Sequence, residues 1–323
     1  MLPQLLSTDT NLASMYRGRF APSPTGDLHL GSAASALIGW LAARSARGTY
    51  VLRVEDIDTP RVRAGVEARQ LDDLRWLGLD WNEGPDVGGP RGPYRQSERT
   101  ALYDDALTRL AAQGLTYLCD CSRAEIAQIA SAPHVGDEGP RYPGTCRDLG
   151  MRAREWKRAP AVRLRVPARA VTVRDRWQGV FTENVLETVG DFVLRRGDGV
   201  YAYQLAVVVD DLAMGITEVV RGVDLLGSAA RQVLLAELLG QGAPAYAHHP
   251  MVVGESGERL AKRAPGVTLR DYRGDENGSR RVVAILAAAL GLECHPAPSP
   301  GDLLGRFVSD RIRGQRVVRV VPP

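Results

Sequence analysis

The feature that most restricts this chain runs from residue 17 to residue 46. RGRF is followed by APSPTGDLHLGS and then by SAASALIGWLAARSA. The first four residues suit a short strand. The middle is turn-forming, and the last stretch, Ser32 to Ala46, carries apolar residues at helical spacing. A strand that feeds a helix through a glycine-bearing turn leaves free backbone N–H groups and a partial positive charge at the helix start, which together hold phosphate. Gly31 lets a ligand approach the backbone closely. His29 stands where an imidazole can donate a hydrogen bond to a phosphoryl oxygen.

The same alternation continues. TYVLRVED reads as a strand ending in acids, and VEARQLDDLRWLGLDW and TALYDDALTRLAAQGL read as helices. Residues 119–160 then change character, with cysteines, prolines and many charges. AVRLRVPARAVTVRDRWQGVF alternates apolar and polar residues as an antiparallel segment does. From Asp191 the α/β pattern resumes through DFVLRRGDGVYAYQLAVVVDD, a strand in ITEVVRG and a helix through GSAARQVLLAELLG. RRVVAILAAALG is the one convincing helix of the tail. The predicted fold class is α/β: a Rossmann-type parallel sheet split by an insertion and followed by a short helical C-terminal segment. The expected boundaries are an extension at 1–15, a first half-domain at 16–112, the insertion at 113–190, a second half-domain at 191–248 and a C-terminal region at 249–323.

With 323 residues, 44% of them hydrophobic and 24% charged, the chain can bury a real core, and disordered or collagen-like classes are excluded. No apolar run approaches the ~18 residues of a membrane span, and the first residues lack a secretion signal, so a cytoplasmic protein is expected. The net charge of +3 does not by itself imply nucleic acid. The basic residues are lopsided: of 41, all but Lys157 and Lys262 are arginine. A lysine that survives in such a chain is a candidate for chemistry that arginine cannot replace. Of the four cysteines, Cys119, Cys121 and Cys146 cluster and Cys294 stands apart. That spacing suits a metal site better than a disulfide framework. On residue chemistry alone the fourth ligand is open between His134, the usual imidazole partner, Tyr142 and water.

The string RFAPSPTGDLHLGS resembles the signature of class I glutamyl-type aminoacyl-tRNA synthetases, with HLGS (29–32) as the HIGH-type element. LRVEDID (52–58), YRQSER (94–99), YAYQLAVVVDD (201–211), EVVRGVDLL (218–226) and RLAKR (259–263) resemble further family motifs in the expected order. The last is similar to the KMSKS-type loop, with arginine at its first lysine, alanine at its serine, and Lys262 kept. HLGS carries serine where HIGH has its second histidine.

The resemblance implies an enzyme that activates a carboxylate. The α-carboxylate of an amino acid attacks the α-phosphorus of ATP, pyrophosphate leaves, and no protein nucleophile is needed. His29 and Lys262 would be catalytic. His29, Gly31, Ser32 and Lys262 would bind ATP, which Mg²⁺ normally accompanies. Arg19 and Arg221 would take the side-chain carboxylate of L-glutamate, and Glu55 its amino group. Tyr203 would line the pocket, and Phe20, Ala21, Pro22 and Ser23 would contact the ligand through backbone. Arginine suits carboxylates because its fork binds both oxygens; a glutamine-specific enzyme would not need the pair. Taken alone, Arg221 reads better as one half of a structural salt bridge, for instance with Asp224.

The pattern C-x-C…Y-x-x-x-C looks like the zinc site of glutamyl-queuosine tRNA(Asp) synthetases, which implies one structural Zn²⁺ on Cys119, Cys121, Tyr142 and Cys146. Full-length glutamyl-tRNA synthetases continue into an anticodon-binding domain for which few residues follow Lys262 here. The resemblance therefore implies that glutamate goes to queuosine in the anticodon loop of tRNA(Asp), with arginines supplying phosphate contacts. The alternatives are a short glutamyl-tRNA synthetase that charges the 3′ end and a non-catalytic paralogue that binds RNA or nucleotide. A monomer is expected. His248, His249 and Cys294 receive no role.

Overall fold

The structure is a computed structural model that describes residues 15–129, 140–149, 155–254, 257, 267–292, 295–307 and 309–320. The expectations for the N-terminal extension, His134, Lys262 and Cys294 fall outside these residues, apart from Met15.

In chain order, β1 (Arg17–Phe20) leads through the glycine turn into α1 (Leu30–Ser45), and β2 (Thr49–Leu52) returns parallel to β1. Helices α2 (Val66–Trp76) and α3 (Thr100–Ala112) follow, then β3 (Thr116–Cys119), α4 (Arg123–Ile129), β4 (Ala161–Leu164), β5 (Ala170–Asp175), β6 (Gly179–Asn184), α5 (Val185–Thr188) and β7 (Val193–Arg195). The second run comprises α6 (Tyr203–Ala213), β8 (Glu218–Gly222), α7 (Ala229–Leu238), β9 (Ala245–His249) and β10 (Met251–Val253), and the chain closes with α8 (Gly278–Ala289) and β11 (Val317–Arg319).

Strand β8 runs parallel to β9. The amide of Thr217 donates to the Arg17 carbonyl at 2.9 Å, which ties the start of β8 to β1. As the alternating pattern predicts, β5 and β6 form an antiparallel hairpin. This hairpin meets β9 through the pair Asp175 and Tyr246, and β3, β4 and β7 make a separate antiparallel sheet. The tail contains the predicted helix and, beyond it, β11, which runs parallel to β10.

Helix α1 is apolar nearly all round, from Leu30 to Ala43, and lies inside one core with β1, β2 and α8. Such a helix belongs in an interior rather than on a surface. A second core joins Val51 and Tyr94 to Leu164, Val166, Val171 and Val173, and to α6 and α7. Tyr117, Cys119, Ile126, Tyr142 and Cys146 form a small cluster of their own.

Two boundaries differ from the sequence reading for identifiable reasons. Helix α1 begins two residues earlier than the periodicity predicts, because His29 caps it: Nδ1 accepts the Ser32 amide at 3.2 Å. The strand predicted through Asp56 ends at Leu52. There Arg53 turns into the interior, fully buried, to meet acids from other elements.

Candidate active site

A cleft of about 480 Å³ opens where the C-terminal ends of β1 and β8 face the N-terminus of α1, with Met251 and Val252 along one wall. Crevices at the carboxyl ends of parallel strands are where such sheets bind ligands. Arg19, Phe20, Ala21, Ser23, His29, Gly31, Ser32, Glu55, Tyr203 and Arg221 all line it. Pro22 does not; its carbonyl instead accepts the Glu55 amide at 3.0 Å, which fixes the acid's backbone.

One end has the chemistry to hold phosphate. Because His29 Nδ1 accepts the Ser32 amide, the ring carries its proton on Nε2, which lies 3.1 Å from Ser32 Oγ. A donor therefore stands at the positive end of a 16-residue helix. A Cβ at Gly31 would sit 3.0 Å from the imidazole, so the ring would have to give way by a few tenths of an ångström. Lys262 belongs to the stretch between β10 and Val267, outside the described residues. At Val267 the chain is back beside the helix start: its carbonyl accepts the Leu30 amide at 2.9 Å, and Thr268 bridges to His29.

The other end is built from buried charge. Arg53 donates to Asp211 at 2.7 Å and to Glu55 at 3.1 Å, and lies 3.7 Å from Asp210. Asp210 is also held by Arg99 at 2.6 Å, Gln96 at 2.8 Å and the Tyr103 hydroxyl. Arg19 donates to Asp211 at 3.2 Å and to the Val220 carbonyl at 3.3 Å. Burial works against the Asp211 anion, but Arg19 and Arg53 outweigh it and hold its carboxyl below the usual range. Burial pushes the Glu55 carboxyl up, and Arg53 and Arg19 offset only part of this. A ligand cation beside Glu55 would supply the missing compensation.

Arg221 is different. It is 4% exposed, and its partners are neutral: Nε donates to His248 Nε2 at 2.9 Å, Nη1 to Gln232 Oε1 at 2.8 Å and Nη2 to the Leu225 carbonyl at 3.2 Å. Its guanidinium also lies 5.2 Å from the centre of the Tyr246 ring. The salt bridge to Asp224 that residue chemistry allowed is not formed. Among the described residues no carboxylate comes within 4.0 Å of Arg221. Buried charges are normally paired, so this cation is able to receive an incoming anion. Of a guanidinium's five N–H donors, three are committed, and the remaining two match a carboxylate's two oxygens.

Tyr203 stands at the rim, 38% exposed. Sequence reasoning passed over Arg53, Asp210 and Asp211 as site-builders. Two adjacent acids ending the apolar run LAVVV were the available signal, because a helix buried that deeply must pair them. It also missed His248, which carries no comparable signature, and His249, which lines the cleft. His249 Nε2 lies 2.8 Å from Ser35 Oγ, and burial lowers its pKa to about 4.

Away from the cleft, the sulfurs of Cys119, Cys121 and Cys146 lie within 4.8 Å of one another, with Cys121 and Cys146 at 3.6 Å. Zinc–thiolate bonds of ~2.3 Å in a tetrahedron put sulfurs ~3.8 Å apart, so the cluster fits that ion. Burial and the neighbouring sulfurs push the Cys121 thiol up to about 12, and a divalent cation is what would hold these groups as thiolates. Tyr142 Oη lies 3.3 Å from Cys119 Sγ and accepts the Cys146 amide at 2.8 Å. Arg163 covers its ring at 3.8 Å. The close approach of Gly190, at φ +78°, seats the Tyr142 backbone; a Cβ there would lie 2.3 Å from the Tyr142 carbonyl. Lys157 is exposed and pairs with Glu125 at 3.3 Å, an ordinary surface contact.

Residues 15–294 match the family of tRNA synthetases class I (E and Q), catalytic domain. The chain belongs to this family. Its similarity to a glutamyl-Q tRNA(Asp) synthetase of Symbiobacterium thermophilum is 50% identity over 306 residues, covering 92% of this chain and 94% of the relative. A glutamate–tRNA ligase 2 of Acidithiobacillus ferrooxidans is 45% identical over 279 residues, covering 85% of this chain and 56% of that one. Among solved structures, a glutamate tRNA ligase of Elizabethkingia meningosepticum in complex with its amino acid superposes with a TM-score of 0.81. It is 28% identical and covers 95% of this chain and 67% of its own. As a class I synthetase domain, the chain is a ligase of the aminoacyl-tRNA synthetase type. No helix among the described residues is long and apolar enough to cross a membrane.

Proposed function

We propose that this synthetase activates L-glutamate with ATP and transfers the glutamyl group to the queuosine base in the anticodon loop of tRNA(Asp). The observation that carries the glutamate reading is Arg221: a buried guanidinium with neutral partners and two uncommitted donors, in the same cleft as Glu55 and the α1 terminus. Arg221 and Arg19 take the side-chain carboxylate and Glu55 takes the ammonium, which relieves the burial of its own charge. Tyr203 closes the outer wall, and Phe20, Ala21 and Ser23 line the strand side.

The α-carboxylate oxygen then attacks the α-phosphorus and the bond to pyrophosphate breaks. Negative charge grows on the phosphoryl oxygens, where the His29 Nε2–H, the Gly31 N–H, the Ser32 hydroxyl and Lys262 meet it. Donors fixed beforehand act most strongly where charge develops. Mg²⁺ accompanies the ATP. In the second step an acceptor nucleophile on the base attacks the activated carbonyl and AMP leaves. Cys119, Cys121, Cys146 and Tyr142 hold a Zn²⁺ whose role is structural, fixing the stretch between β3 and β4. One chain contains the whole cleft, so a monomer suffices, and a tRNA acceptor and ATP put the reaction in the cytoplasm.

The queuosine acceptor is supported by the relatives that share both the chain's sequence and nearly its whole length. The relative named glutamate–tRNA ligase favours a second reading, charging of the tRNA 3′ end. Labelled glutamate and queuosine-bearing tRNA(Asp) separate the two. Label retained in the anticodon fragment after nuclease cleavage supports the proposal, and label on the 3′-terminal fragment overturns it. Absence of glutamate-dependent pyrophosphate exchange, with and without tRNA, would leave only a binding protein.

A further inference from the structure

Behind Arg221 lies a second layer that the reaction does not touch. The His248 ring is fully buried on β9, between Asp175 at the end of β5 and Arg221 on β8. Its Nδ1 lies 2.5 Å from Asp175 Oδ2, and its Nε2 accepts from Arg221 Nε at 2.9 Å. Both contacts fix the same tautomer. Arg221 Nε–H can only donate, so Nε2 must be bare, and the proton must sit on Nδ1, facing the carboxylate. Asp175 is in turn immobilised by the backbone amides of Trp177 at 2.9 Å and Gln178 at 2.8 Å. The Tyr246 ring stacks beside the imidazole, with centroids 5.8 Å apart and planes 9° from parallel.

Resting on the reading of Arg221 as the receptor for the glutamate side chain, we propose that Asp175 and His248 are positioning residues. They hold the Arg221 guanidinium in the one rotation that leaves its two uncommitted donors facing the cleft. The relay also keeps a neutral group behind a cation that otherwise has no counter-ion among the described residues. A carboxylate in place of His248 would neutralise Arg221 from behind and compete with the substrate; a protonated imidazole would repel it and present N–H against N–H. The neutral, Nδ1-protonated ring is the form that orients Arg221 and leaves its charge for the ligand.

The charged groups facing the ring oppose one another: Asp175 fixes the proton on Nδ1 but also favours the imidazolium, whereas Arg221 and Arg19 both oppose a second proton. Burial is the largest effect and pushes His248 below the ordinary histidine value. His249, the next residue on the strand, is itself held neutral near pH 7, with its pKa lowered to about 4. A second proton on His248, which burial disfavours, would put a donor where Arg221 needs an acceptor and weaken glutamate binding.

The test is glutamate-dependent pyrophosphate exchange by the full chain with ATP and Mg²⁺, with KM for glutamate and for ATP measured separately. His248→Ala should raise the glutamate KM about 10- to 100-fold, the range of a hydrogen bond to a charged group, and leave the ATP KM within about threefold. His248→Gln places an amide acceptor and donor ~2.2 Å apart, as the two ring nitrogens are. It should recover the glutamate KM to within about threefold of wild type. A glutamate KM in His248→Ala equal to wild type overturns the relay. So does a rise shared equally by ATP, or a His248→Gln enzyme whose glutamate KM is no better than that of His248→Ala. No glutamate-dependent exchange by the wild-type chain would instead overturn the substrate reading on which the relay rests.

Discussion

Replacing Arg53 with methionine tests how the acid end of the cleft is held together. The Arg53 side chain is fully buried and reaches Asp211, Glu55 and Asp210 at 2.7, 3.1 and 3.7 Å. Its removal does not strand all three acids. Asp211 keeps Arg19, and Asp210 keeps Arg99, Gln96 and the Tyr103 hydroxyl. Glu55, 11% exposed, loses its only ion-pair partner among the described residues. The mutant folds either with that charge uncompensated or with Glu55 protonated. Protonating an acid of unfolded pKa ~4.3 costs about 1.36 kcal/mol per pH unit, so roughly 3.7 kcal/mol at pH 7 and roughly 1 kcal/mol at pH 5. The expected loss at pH 7 is therefore about 3–4 kcal/mol, in line with breaking other buried pairs. The sign of the pH effect follows. With the folded pKa of Glu55 raised further, the folded mutant binds more protons than the unfolded chain, so its stability falls as pH rises. Because burial already raises the Glu55 carboxyl in the wild type, the deficit relative to wild type should shrink by at most roughly 2–3 kcal/mol between pH 7 and pH 5, and adding Glu55→Gln should remove most of that dependence. Urea unfolding at the two pH values reads both quantities. A deficit under about 1 kcal/mol at pH 7, or one equal at both pH values, would refute the reasoning.

Other consequences are simpler. Gly31→Ala should displace the His29 ring, which a Cβ would approach to 3.0 Å, and slow pyrophosphate exchange roughly tenfold or more with little change in the glutamate KM; an unchanged rate would argue against His29 as a phosphoryl donor. Lys262→Ala should lower exchange on the order of 10²–10³ while leaving the unfolding midpoint in place, and near-normal turnover would remove Lys262 from the reaction. Tyr142→Phe should weaken zinc retention against a competing chelator while exchange continues; equal retention would leave the fourth ligand to another group. Stripping the zinc should expose the segment between β3 and β4 to protease before the rest of the chain.

Much of the site is legible in the sequence because its chemistry is carried by short contiguous strings. RGRFAPSPTGDLHLGS holds a strand end, a turn and a helix start, and each has a local signature. The cysteine spacing points to a cluster for the same reason. What the sequence conceals is assembled from distant strands. Arg221 and Asp224 are three residues apart and look like partners. Strand β8 instead turns Arg221 toward His248 and Gln232, 27 and 11 positions away. Arg53 reads as one more residue of a strand until the burial of Asp210 and Asp211 gives it somewhere to go. The β5–β6 hairpin is visible as alternation, but its attachment to β9 through Asp175 and Tyr246 depends on the packing of the whole sheet. Strand β11 carries too few residues to stand out from the proline-rich tail.

The most direct measurement is a crystal structure of the chain with L-glutamate bound. The account predicts the side-chain carboxylate within hydrogen-bonding distance of both free donors of Arg221, the ammonium beside Glu55, and His248 still bridging Asp175 to the guanidinium. Glutamate bound elsewhere, or in the cleft with Arg19 and Arg221 both turned away from the ligand, would contradict it.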